Sequence, residues 1–221
     1  MLRYQKSIGQ LALLTVLLAG CQTANPYTGE QETSNATRGA VIGGLAGAAI
    51  GALTNSRDAT ENALVGGAVG AVAGGLIGGY MDRQEAELRQ ELRQAGVSVT
   101  RQGNSITLNM QDDILFGVNS QYLEPRARDI LRSVGVVLKK YNETYVAVNG
   151  YTDTTGTREH NAQLSQLRAE AVADELVRSG IDPRRITPRG HGETNLRVQT
   201  GDNVNEVRNR RVEIVLEPNR T

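Results

Sequence analysis

Apolar and polar residues alternate over 97–101 and again over 106–110, on either side of Gln102-Gly103-Asn104, and this pattern predicts two strands joined by a tight turn. Beyond them Ala127, Ile130, Leu131, Val134, Val137, Leu138 and Tyr141 recur at helical spacing, with Pro125 near the start. The period then returns to that of a strand over 145–151. Gly150 and Gly156 punctuate the turn that follows, and Leu164, Leu167, Ala171, Val172 and Leu176 predict a second helix over 160–179. A short strand near 185–187 and a last one over 211–216 complete a β-α-β-α-β-β order in which the opening hairpin counts once. The expected fold is α+β: a two-layer sandwich with two helices against one face of a mixed sheet, over 97–221. About 120 residues suffice for one core.

The chain before residue 97 reads differently. Gly39, Gly43, Gly47 and Gly51 recur every fourth residue, and Gly66, Gly70, Gly74 and Gly78 do so after a polar break at 54–62. A second row, Gly67, Ala71, Gly75 and Gly79, runs beside the later set. Glycine costs about 1 kcal/mol per helical position relative to alanine, so eight in register call for a reason. Small residues at this period make a flat stripe on which two helix backbones approach closely. Leu, Ile and Val between the glycines argue against a plain linker. The segments resemble glycine zippers, and residues 39–80 are expected to form a helical hairpin. Apolar lengths of about 15 and 17 residues rise only about 22 to 26 Å, short of a bilayer core of roughly 30 Å. Residues 81–96, rich in helix formers and alternating charge, are expected to be a solvated connecting helix.

At the amino terminus Arg3 and Lys6 precede an apolar run over 8–19, and Leu18-Ala19-Gly20-Cys21 resembles the lipobox of bacterial lipoproteins. The resemblance implies a signal peptide over 1–20 and acylation of Cys21, the only cysteine. Several acyl chains, at about 0.8 kcal/mol per buried methylene, would anchor the chain durably. Gln22 in place of Asp implies the outer membrane, with the folded domain in the periplasm. Residues 21–38, polar and turn-rich, are expected to be a flexible tether.

Charge narrows the classes of partner. Lys plus Arg and Asp plus Glu are each 24, and removal of Arg3 and Lys6 with the leader leaves 22 against 24. Such a balance does not favour nucleic acid. Aromatic residues make up 4% of the chain and tryptophan is absent, so stacking platforms for bases are not supported either.

The candidate chemistry lies in 149–169, where Asp153 and Arg168 stand fifteen positions apart, one after a strand and one in the next helix. A carboxylate takes an ammonium and a guanidinium takes a carboxylate, so together they suit a small zwitterion. An exposed ion pair worth about 0 to 1 kcal/mol is the plain alternative. GYTD at 150–153, NxxLSxxRA at 161–169 and NRRVEI at 209–214 together resemble the peptidoglycan-binding domain of the OmpA-like proteins, over roughly residues 97–218. The resemblance implies that Asp153 grips the ammonium and Arg168 the carboxylate of the diaminopimelate side chain in the peptidoglycan stem. It further implies that Asn161 and Leu164 shape the loop and pocket wall, that Phe116 lies near the ligand, and that Arg211 braces the site, Arg210 being the alternative. Gly117 stands where the family commonly has an acid, Tyr151 replaces a frequent histidine and His160 a frequent tyrosine or leucine.

Catalysis is not expected. Asp153, His160 and Ser165 supply the residue types of a triad, but a five-residue offset aims His160 and Ser165 at different helix faces. Ser165 is expected on the helix surface. No metal-ligand cluster or phosphate loop is present, and neither cofactor nor metal is implied. The expectation is an outer-membrane lipoprotein that binds peptidoglycan noncovalently. The alternative makes the zippers the active part, as a homo-oligomeric or membrane-inserting module that wall binding merely anchors.

Overall fold

The computed structural model describes residues 22–24, 31–33, 59–117 and 120–219, with side chains from residue 74 onward. It divides into two compact units, 1–82 and 83–221. In the first, β1 (Gln22–Ala24) pairs antiparallel with β2 (Gln31–Thr33), within the stretch expected to be a flexible tether. Cys21 and the first glycine stripe lie outside the described residues, and with them the expected hairpin. The second stripe lies in α1 (Ala59–Glu91), a helix of 33 residues that continues without interruption into the charged segment. Among the described residues no helix is long and apolar enough to cross a membrane.

The expectation of a solvated connecting helix needs correction. Leu88 and Leu92 are essentially fully buried, and Gln84 is buried as well. Within the second unit, Gln84 Nε2 donates to Thr144 Oγ1 at 3.5 Å, while Glu87 accepts from Lys140 at 2.6 Å and from the Tyr141 hydroxyl at 3.1 Å. One face of the end of α1 therefore belongs to the folded domain. Leu88 and the following Leu92, about one helical turn apart, stand among so many polar helix formers that the sequence pattern alone marks too few apolar positions for a packed face.

The domain itself follows the expected order. Strands β3 (Ser98–Gln102) and β4 (Ser105–Gln111) form the predicted hairpin. Gly103, at φ +56°, is the first of its two turn residues and supplies the left-handed conformation that a two-residue hairpin loop requires. A single turn, α2 (Asp112–Leu115), leads to α3 (Pro125–Lys140), with Pro125 in its first turn where no N–H is needed. Then come β5 (Thr144–Tyr151), α4 (Arg158–Arg178), β6 (Ile186–Gly190) and β7 (Arg211–Pro218). Helix α4 begins at Arg158, slightly earlier than its apolar pattern, because the Thr157 hydroxyl accepts the His160 N–H at 3.2 Å and caps it.

The sheet order is β3-β4-β7-β5-β6. The last strand lies between β4 and β5, antiparallel to both, while β5 and β6 run parallel around the α4 crossover. Alternation puts Ile106, Leu108, Met110, Val146, Val148, Val212, Ile214 and Leu216 on one buried face, against Leu131, Val134 and Leu138 of α3 and Val172 and Leu176 of α4. The opposite face carries half-exposed Thr107, Asn109, Ala147, Asn149 and Val215. This is the expected two-layer α+β architecture on a mixed sheet.

Candidate functional site

Insertion of β7 between β4 and β5 decides which side chains meet. Arg211 pairs in register with Gln111 on one side and Tyr151 on the other, and the Arg210 carbonyl accepts the Asp112 N–H at 3.2 Å. The end of β4, the end of β5 and the start of β7 therefore converge. Asp112 follows the first, Asp153 the second, and Arg210 precedes the third.

Helix α4 brings Arg168 to the same place. Its Nη2 lies 3.0 Å from Asp112 Oδ2, its Nε donates to the Ser120 carbonyl at 3.0 Å, and its guanidinium stands 5.1 Å from the centre of the Phe116 ring. Arg210 Nη1 donates to Asp153 Oδ2 at 2.7 Å, and Arg210 Nε lies 3.8 Å from Asp112 Oδ2. The four charges thus alternate in a row: Arg168, Asp112, Arg210, Asp153. No direct bond joins Asp153 to Arg168.

The group is well covered. Asp153 is 5% exposed and Arg168 3%. Burial holds the Arg168 guanidinium below its ordinary range, against the opposing pull of Asp112. Burial also pushes the Asp112 carboxyl up to about 6, although Arg168 and Arg210 both pull it down. Asp153 Oδ1 accepts the Thr155 N–H at 3.0 Å, and Oδ2 accepts the Glu206 N–H at 3.3 Å. Two backbone donors thus fix the carboxylate in the turn after β5.

The other expected residues divide. Asn161 is buried and braces the turn, donating from Nδ2 to the Asp153 carbonyl at 3.3 Å and to Glu193 Oε2 at 2.8 Å. Leu164 is half-buried, one helical turn before Arg168. Phe116 is buried and bridges to Leu123 across the loop that supplies Ser120. Arg211 does not join the cluster. Its guanidinium lies 3.8 Å from the centre of the Tyr151 ring, its Nε donates to Glu213 at 2.8 Å, and its Nη atoms bond the Asn209 and Asn195 carbonyls at 3.1 Å each. Adjacent strand residues point to opposite faces, so of the two arginines only Arg210 faces the acids.

Ser165 is fully buried rather than on the helix surface. Its Oγ donates to the Ala162 carbonyl at 2.9 Å and accepts the Gly192 N–H at 2.8 Å, so both bonds brace the helix against the following loop. His160 is exposed. Asp112 was missed altogether. The only signal for it was an acid pair, Asp112-Asp113, directly after a strand.

Comparison with known proteins agrees with this architecture. The OmpA family model matches residues 115–210 and the YMGG-like Gly-zipper model residues 4–82. The chain is 46% identical to the probable lipoprotein YiaD of Escherichia coli over 202 residues, covering 91% of this chain and 92% of that protein. It is 39% identical over 103 residues to the peptidoglycan-binding protein ArfA of Mycobacterium tuberculosis, covering 47% of this chain and 32% of ArfA. Among solved structures, the cell wall anchor of the T6SS from Pseudomonas aeruginosa superposes with a TM-score of 0.53 at 27% identity, covering 62% of this chain and 96% of that one. With a relative matched almost end to end, a zipper segment and an OmpA domain in that order, the chain belongs to the YiaD family of OmpA-domain proteins.

Proposed function

We propose that this protein binds peptidoglycan noncovalently, gripping the diaminopimelate side chain of the stem peptide between Asp153 and Arg168, and so ties the outer membrane to the wall. The observation that carries the reading is the pairing of a backbone-fixed carboxylate with a buried guanidinium at one end of the sheet, in a domain of the OmpA family. Arg168 uses Nε and one Nη2 contact internally, and among the described residues its Nη1 has no partner. A ligand carboxylate would meet that edge of the guanidinium, and the ligand ammonium would meet Asp153. The two Asp and two Arg already balance, so a side chain carrying one charge of each sign enters without leaving net charge buried. The cell-wall roles in the names of ArfA and the Pseudomonas anchor agree with this reading.

Acylated Cys21 would supply the membrane end, facing the domain into the periplasm, and residues 21–38 would be the tether. Asn161, Leu164 and Phe116 support the clamp, while Arg211 braces the neighbouring sheet. The work is binding, not catalysis. The glycine stripe within α1 supports a second component, self-association through the zipper.

Sedimentation of the full chain with purified sacculi tests the clamp. Wild type is expected in the pellet, and Asp153→Ala and Arg168→Ala in the supernatant. Full retention of both variants would sink the proposal.

A further inference from the structure

An ammonium has only donors, so it needs an open oxygen on Asp153, and in the free chain that carboxylate is largely taken. It accepts from Thr155 N, Glu206 N and Arg210 Nη1. The first two donors are backbone groups fixed by the fold. The third is the end of a flexible side chain, 27% exposed, and is the exchangeable one. A displaced guanidinium beside an incoming ammonium would repel it unless a second carboxylate received it. Asp112 is in place for this. Its Oδ2 lies 3.8 Å from Arg210 Nε, and among the described residues its Oδ1 accepts no hydrogen bond.

Building on the clamp proposed above, we infer that Asp112 is its positioning residue: it holds Arg168 toward the ligand carboxylate and takes over Arg210 when the ligand ammonium displaces that guanidinium from Asp153. Arg210 is then an internal competitor that masks Asp153 until a ligand arrives. Both duties of Asp112 require its ionised form. The charged groups facing it are Arg168 of α4, Arg210 before β7, Asp153 after β5 and its neighbour Asp113. With its carboxyl near 6, protonation falls within an accessible pH range.

The test is calorimetric titration of the full chain in detergent with a muropeptide carrying diaminopimelate in its stem, between pH 5 and 8. Wild-type affinity is expected to fall about tenfold from pH 7.5 to pH 5, as Asp112 becomes mostly protonated. Asp112→Asn should bind about tenfold more weakly at pH 7.5 and lose the pH slope, and Asp112→Glu should recover part of both. Arg210→Gln should bind several-fold more tightly, because the competitor is gone. Wild-type binding that Asp153→Ala abolishes while Asp112→Asn keeps both affinity and slope would overturn this inference alone, as would a tenfold loss in Arg210→Gln. A wild type that ignores the muropeptide overturns the clamp and this inference together.

Discussion

A Cβ placed on Gly150 would stand 2.2 Å from the carbonyl oxygen of Ser165, so strand β5 and helix α4 run in backbone contact at that point. Three residues further along the chain lie Asp153, in the turn just past β5, and Arg168, within α4. The contact sets the separation of the two groups before any side chain is considered. Gly150→Ala must push helix from strand, because the obstacle is backbone and cannot rotate away. A loss of about 3 kcal/mol is expected in urea unfolding, with weaker sedimentation on sacculi. An unchanged midpoint would show that the helix yields easily.

Asp112 couples stability to pH. Its carboxyl is raised in the folded chain from 3.8 to about 6, so folding favours the protonated form. The stabilisation is fully present below the unfolded value near 3.8 and is lost as pH rises through 6. Wild type should therefore gain on the isosteric Asp112→Asn variant as pH falls from 8 to 4, by about 2 to 3 kcal/mol. Parallel unfolding curves across this range, with a constant gap between the two proteins, would contradict the assignment.

Arg211 separates bracing from binding. Its guanidinium covers Tyr151, whose ring also stacks on His191 with ring centres 4.9 Å apart. Arg211→Ala removes that packing together with the bonds to Glu213 and two carbonyls. Thermal or urea unfolding should register a loss of about 1 to 3 kcal/mol. Once folded, the variant should still pellet with sacculi, unlike Arg168→Ala.

Asn209 holds the long 191–210 loop in shape. It is fully buried and exchanges two hydrogen bonds of 2.9 Å with the Val198 backbone, one in each direction. Asn209→Ala leaves a buried donor and acceptor unmet and should cost about 2 to 3 kcal/mol. Hydrogen exchange should localise the damage, with faster exchange at Val198 and Val204 than in β4.

The strands, both helices and the opening hairpin of the domain were readable in the sequence, because each rests on a local period: Ile106, Leu108 and Met110 alternate, and Leu131, Val134 and Leu138 recur along a helix. Asp153 and Arg168 were readable for a similar reason, since one crossover links them. Asp112 and the choice between Arg210 and Arg211 were not. Both depend on β7 lying between β4 and β5, a pairing of segments about a hundred residues apart that no local pattern announces. Ser165 was misplaced because a buried hydroxyl that meets the backbone of another loop looks, in sequence, like any polar helix residue. Leu88 and Leu92 were discounted for a related reason, because two apolar residues amid charge make a face only when the domain beneath them is known.

The central claim is recognition of a zwitterion, and it is tested most directly by comparing two muropeptides that differ only at the third residue of the stem. Diaminopimelate presents an ammonium and a carboxylate at its free end, whereas lysine presents the ammonium alone. Calorimetric titration of the full chain should give at least about tenfold weaker binding to the lysine form, the loss expected when the buried Arg168 guanidinium loses a charged partner. Equal affinity for the two would contradict the account.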